Sequence, residues 1–200
     1  LTELKMPGLE IGTNVNQKNL GDAEFLPFFE AAEKLGCALL IHPWEMLGEK
    51  DIQKYWLPWL VGMPAETTRA ICSLIFGGVL ERFPKLRIAF AHGGGSFPYT
   101  LGRIEHGYAV RPDLVQIDNS VSPRDYLGKF WVDSLVHDER TFQYLRETMT
   151  DDKICVGSDY PFPLGEQHPG ELVERLVTDE ATRGKMLHRN ALDWLNLKIS

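Results

Sequence analysis

The sequence has no excess of positive charge. Its 21 lysine and arginine residues face 28 aspartate and glutamate residues, giving a net charge of −7 over 200 residues. With no basic run either, the chain lacks the electrostatic footprint of a nucleic-acid surface. Long hydrophobic runs are also missing. None approaches the ~20 apolar residues that span a bilayer, and the first residues lack the pattern of a signal peptide. Cysteine is scarce: Cys37, Cys72 and Cys155 are odd in number and form no Cys-x-x-Cys pair. That argues against a disulfide frame or zinc knuckle and for reduced core thiols in a cytoplasmic protein. Repeats and low-complexity linkers are absent too, so one domain, or a large piece of one, is expected. The 44% apolar fraction is ordinary for a globular core.

Against that plain background, three short apolar runs stop in similar ways. Ala38-Leu39-Leu40-Ile41 runs into His42-Pro43-Trp44, Leu86 to Ala91 into His92-Gly93-Gly94-Gly95, and Lys153 to Val156 into Gly157-Ser158-Asp159-Tyr160-Pro161. Each reads as a buried parallel strand that ends in a potential metal ligand or acid–base group, followed by a Gly- or Pro-shaped loop. Strand ends on one face of a (β/α) barrel are where that fold keeps its chemistry. The pattern points to an enzyme.

Strand-like and helix-like segments alternate along the rest of the chain. Residues 8–13 form a first short strand. A helix starts near Pro27, carries Phe28, Ala32 and Leu35 on its buried side and stops at Gly36. A long loop, 43–63, holds Trp44, Trp56 and Trp59. Pro64 opens a helix whose Ile71, Leu74, Ile75 and Val79 recur at core-facing spacing, and Pro84 ends it. Strand 86–91 precedes a helix near 97–109, and strand 130–136, with Asp133 in mid-strand, precedes a helix near 139–149. Strand 153–157 and two closing helices complete the chain. Such alternation means βαβ units and a parallel sheet. Five strands suit either an open doubly wound domain or a (β/α)8 barrel lacking its first third, since a closed barrel needs eight.

Four stretches carry a resemblance. They are His42-Pro43-Trp44, the run from Tyr55 to Thr68, His92-Gly93-Gly94-Gly95-Ser96-Phe97, and the run from Gly157 to Glu166. In order and spacing they resemble the aminocarboxymuconate-semialdehyde decarboxylases of the amidohydrolase superfamily. That resemblance implies an α/β (β/α)8 TIM barrel, with residues 1–200 as the C-terminal portion of a single barrel domain. It also implies a zinc-dependent, non-oxidative carboxy-lyase of tryptophan catabolism, with no organic cofactor, a small carboxylated substrate and a homodimeric assembly. No nucleic-acid or membrane partner is expected. The family's first strand carries a His-x-His metal pair, which His42, His92, His106, His137, His168 and His188 do not form. An N-terminally truncated chain, holding part of a metal site, is therefore expected.

Residue by residue, the resemblance implies that His42 and Asp159 are metal ligands, and that Asp159 also orients or accepts a proton from metal-activated water. Neutral imidazole is a good zinc ligand, and a strand end holds it rigidly. Taken alone, Asp159 reads equally as a turn or helix-capping aspartate. His92 matches the family's acid–base histidine. An esterase-type oxyanion loop would also read His-Gly-Gly-Gly, but it requires a Gly-x-Ser-x-Gly elbow that this sequence lacks. Arg103 matches an arginine that holds a substrate carboxylate across the subunit interface, a task suited to its planar, permanently charged fork. Trp59 matches a tryptophan lining the active site; otherwise it is core, as Trp44 and Trp56 are expected to be. His106, His137, His168, His188 and Asp133 are expected to be structural or surface residues. The alternatives are another decarboxylase or a metal-dependent hydrolase of the same superfamily, or an inactive fragment.

Overall fold

The apolar runs of the sequence become the strands of a computed structural model that describes residues 3–198. In chain order, β1 (Gly8–Gly12) is followed by a small antiparallel hairpin of β2 (Asn14–Val15) and β3 (Lys18–Asn19). Then come α1 (Leu26–Leu35), β4 (Ala38–His42), α2 (Met63–Phe76), α3 (Val79–Arg82), β5 (Arg87–Phe90), α4 (Phe97–Val110) and α5 (Pro112–Val115). The chain continues through β6 (Trp131–Asp133), α6 (Glu139–Met149), β7 (Ile154–Cys155), α7 (Glu171–Leu176), α8 (Glu180–Gly184) and α9 (Asn190–Leu195).

Five strands pair in parallel in the order β1-β4-β5-β6-β7, which is also their order in the chain. A doubly wound sheet would reverse direction at a switch point. Here each crossover moves one step the same way, as the wall of a barrel does. The sheet is a barrel sector, and the open doubly wound reading is set aside.

Strand alternation divides the side chains. Leu39, Ile41, Ile88, Phe90, Val132 and Ile154 face the helices and join one large core with Ile71, Leu74, Ile75, Phe97, Phe142 and Met149. Burial of one such side chain contributes about 1.5–3 kcal/mol. The opposite face carries Leu40, Ala89, Trp131 and Cys155, covered by Ala191 and Trp194 of α9.

Several elements differ from their sequence expectations. The stripe ending at Val79 is split between two helices, because α2 closes at Gly77 and Gly78, at φ +68°, turns the chain into α3. Val79 is buried nonetheless. On α1 the buried side chains are Phe29 and Ala32, while Leu35, at the last turn before Gly36, is 61% exposed. The strand expected over 130–136 is only Trp131–Asp133, so Asp133 stands at a strand end and not in mid-strand. The segment 43–62 is a series of short 3-10 and π turns running into α2. Its start is held by Glu66, a buried carboxylate of α2 that accepts hydrogen bonds from the Leu47 amide at 2.9 Å and from Arg69 at 3.0 Å. Thr13 and Asn14 donate to the same carboxylate at 3.2 and 3.3 Å. Among the described residues, no helix is long and apolar enough to cross a membrane.

Candidate functional site

Parallel pairing brings the C-terminal ends of the strands to one edge. His42 is the last residue of β4, His92 follows β5 by two residues, and Asp159 follows β7 by four. Distant in sequence, the three side chains meet there. One oxygen of Asp159 lies 3.2 Å from Nε2 of His42 and 3.3 Å from Nε2 of His92. The two imidazole rings stand edge to face with centroids 5.1 Å apart. All three side chains are largely shielded from water, Asp159 most of all at 8% exposure. Whichever imidazole carries its proton on Nε2 donates to the carboxylate.

This set fits a divalent cation. Two imidazole nitrogens and one carboxylate oxygen lie within 4.8 Å of one another. Nitrogen and oxygen donors of this kind suit zinc and its neighbours. No lysine or arginine forms an ion pair with Asp159 among the described residues, so its charge faces only the two imidazoles.

The backbone around the cluster is constrained. His92 has φ +57° and Asp159 has φ +51°, left-handed conformations that non-glycine residues adopt at a cost of about 1–3 kcal/mol. The turn after His92 continues left-handed through Gly93, Gly94 and Gly95. A Cβ at position 95 would collide with the carbonyl oxygen of Pro64, so glycine lets this turn rest on the start of α2. Asp133 accepts hydrogen bonds from the amides of His92 and Gly93, both at 2.9 Å, and from that of Leu135 at 3.0 Å. Burial pushes the Asp133 carboxyl above its ordinary range, and the charge of His92 and the amide bonds pull it back.

Two clefts meet at the cluster. One, of about 260 Å³, runs past His92 and Asp159 between Trp59, Met63 and His137. The other, of about 250 Å³, follows the inner face of the sheet past His42, Asp133 and Trp194. A smaller apolar recess joins Trp44, Trp56, Trp59 and Phe162 against His42 and Asp159. Trp56 and Trp59 stack at 6.0 Å, and Phe162 stacks on His42 at 6.2 Å. Trp44, Trp56 and Trp59 are 61%, 39% and 38% exposed. All three therefore belong to the rim of the site and none to the core.

The structure thus brings His42, His92, Asp159 and Trp59 together and leaves Arg103 apart. Arg103 is exposed on α4, lines neither cleft, and has no ion-pair partner among the described residues. Among those residues, no lysine or arginine lines either cleft. Sequence reasoning missed His137, Asp133 and Phe162. His137 lines the first cleft with φ +59°. Asp133 works on backbone amides some 40 positions away, which no local pattern reveals. Phe162 lies within the stretch from Gly157 to Glu166 but signals nothing by itself.

Residues 1–197 match the amidohydrolase family. The chain is 57% identical over 198 residues to a 2-amino-3-carboxymuconate-6-semialdehyde decarboxylase of Dictyostelium discoideum, covering 98% of this chain and 55% of that protein. A protein of the same name from Caenorhabditis elegans is 39% identical over 221 residues, with 95% and 55% covered. The fold is similar to the crystal structure of Metarhizium anisopliae IDCase in apo form, at TM-score 0.83 and 26% identity over 95% of this chain and 56% of that one. It is also similar to 5-carboxyvanillate decarboxylase from Sphingomonas paucimobilis, at TM-score 0.87 and 24% identity over 98% and 60%. The chain spans about half the length of the curated relatives it matches.

Proposed function

The chain belongs to the amidohydrolase family, and from that premise we propose that it forms the C-terminal part of a barrel that decarboxylates 2-amino-3-carboxymuconate semialdehyde without redox chemistry. The observation that carries this reading is the meeting of His42, His92 and Asp159 at three strand ends. The 57% identity to the Dictyostelium decarboxylase supports the choice of substrate.

His42 and Asp159 would hold the metal, zinc in this reading, through Nε2 and a carboxylate oxygen. A bound zinc ion supplies Lewis acidity that makes water nucleophilic near neutral pH. His92 moves the proton. Its Nε2, beside Asp159, takes a proton from water and passes it to the substrate carbon; the electron pair of the breaking bond to the carboxylate receives that proton, CO2 leaves, and the hydroxide left behind is reprotonated from solvent. Asp159 steadies the imidazolium while the proton is held there. Trp59 and Phe162 form an apolar wall that keeps bulk water from the reacting carbon.

Among the described residues, no lysine or arginine of this chain lines the clefts to meet a substrate carboxylate. In this reading the cation is Arg103 of a second copy, exposed on α4, which makes the working unit a homodimer. The three free cysteines suit a cytoplasmic protein.

The test uses the full-length protein loaded with zinc. Release of CO2 from the semialdehyde supports the reading, while turnover only of aromatic carboxylates, or none, refutes it. His42→Ala should strip most of the metal, as measured by elemental analysis after dialysis. Unchanged metal content would overturn the ligand assignment.

A further inference from the structure

We propose that Asp133 is the positioning residue for His92: its carboxylate pins the left-handed turn that aims the imidazole at Asp159. The inference rests on the reading of His92 as the acid–base group. Four successive residues, His92 to Gly95, have φ of +57°, +61°, +77° and +63°. Within the turn the Gly94 and Gly95 amides bond to the Ala91 and His92 carbonyls at 3.2 and 2.9 Å, which leaves the His92 and Gly93 amides to be held from outside it. Asp133, at the end of the neighbouring strand β6, does so from both oxygens. Oδ2 accepts from the His92 amide, and Oδ1 accepts from the amides of Gly93 and Leu135. Successive backbone N–H groups in such a turn form a concavity suited to an anion, and bonds to a charged acceptor are the stronger kind.

A second contact extends the argument to the other side of the site. A Cβ at position 157 would lie 2.7 Å from the Asp133 carboxylate, so glycine there lets the chain leaving β7 lie directly against it. Two residues later that chain reaches Asp159. Asp133 is therefore wedged between the exit that carries His92 and the exit that carries Asp159, and it sets their spacing. Only a carboxylate meets the demand of three amides on two oxygens. An asparagine would turn its NH2 group towards at least one N–H donor. No lysine or arginine pairs with Asp133 among the described residues, so the partners of its oxygens are the amides of the turn and of Leu135.

The test compares wild type with Asp133→Asn in the full-length protein. The variant should fold and keep its metal, yet lose turnover by roughly 10²-fold, the scale of a 1 Å misplacement of a reacting group. KM should stay within about threefold, because both Asp133 oxygens are taken up by backbone amides. The imidazole resonances of His92, assigned with His92→Gln, should shift in Asp133→Asn while those of His106 and His188 stay put. A turnover within twofold of wild type, or unmoved His92 resonances, overturns the proposal. If wild type shows no decarboxylation, the function proposed above fails, and the resonance comparison still decides the role of Asp133. If Asp133→Asn does not fold, amide exchange in wild type decides instead. His92 and Gly93 amides protected as strongly as those of β5 support the tie, and fast exchange at both overturns it.

Discussion

The two faces of the sheet are made by different rules, although each strand supplies both. Towards the helices, β5 offers Ile88 and Phe90, both buried in the large core. Towards the inside it offers Ala89 and then, one residue past the strand, Ala91, before the chain turns into His92. The helix-facing side chains are large and apolar throughout. The inner ones are mixed: Leu40 and Trp131 are large, but Ala89 and Cys155 are small and leave a concave surface that ends in His42, Asp133 and Asp159. Period-two alternation lets one strand separate its stabilising contacts from its chemical ones. Substitutions a residue or two apart should therefore fail in different ways.

The largest expected effect tests the chemical side. His92→Ala in the full-length, metal-loaded protein should keep its metal and its melting temperature but lose turnover by ~10²–10⁴, the range of a removed acid–base group. Equal loss of metal and turnover would make His92 a ligand, a result that its 3.3 Å approach to Asp159 would then explain. The next effect tests the stabilising side two residues earlier. Phe90 is 1% exposed and packs edge-on against Phe130 at 5.2 Å. Phe90→Ala should cost about 3–5 kcal/mol of stability, measured by denaturant unfolding. Turnover well below the new melting temperature should fall only a few-fold. A selective loss of turnover in a stable Phe90→Ala protein would show that the two faces are mechanically coupled and break the comparison.

The sequence disclosed the helix-facing side better than the chemical side, and the reason is physical. Continuous apolar runs such as Ala38 to Ile41 are required by burial on both faces, so they are visible without a partner. The strand ends carrying His42, His92 and Asp159 stood out for the same reason, since each follows such a run. Their convergence to 3.2 and 3.3 Å depends on strand order and register, which no local pattern contains. The hairpin of β2 and β3 was invisible because two-residue strands have no periodicity. It is tied down by Arg69, which reaches Asn19 at 2.8 Å and the Gln17 carbonyl at 2.9 Å. Trp44 and Trp56 misled in the opposite direction. Large aromatics usually read as core, yet at a cleft rim they keep one face dry and one exposed.

The smallest expected effect is none at all, and it sharpens the comparison. Cys155 lies on the inner face, on β7, and Cys72 on α2 in the layer outside the sheet. Burial pushes both thiols up to about 12. Only the thiolate attacks a disulfide reagent, and at pH 8 a thiol of that pKa is ionised in on the order of 10⁻⁴ of molecules. In the folded full-length protein neither cysteine should label at pH 8 over the time in which unfolded protein labels completely, and mass spectrometry of digested protein reads each site separately. If both stay silent, the inner face is as dry in its middle as the outer core, and the two faces differ only where the inner one reaches the strand ends. Rapid labelling of Cys155 with Cys72 silent would mean that water enters the barrel along the whole inner face. The cleft that runs there past Leu40, Ala89 and Cys155 would then be hydrated to its floor, and the dry surroundings ascribed to the histidines and Asp159 would have to come from the aromatic rim alone.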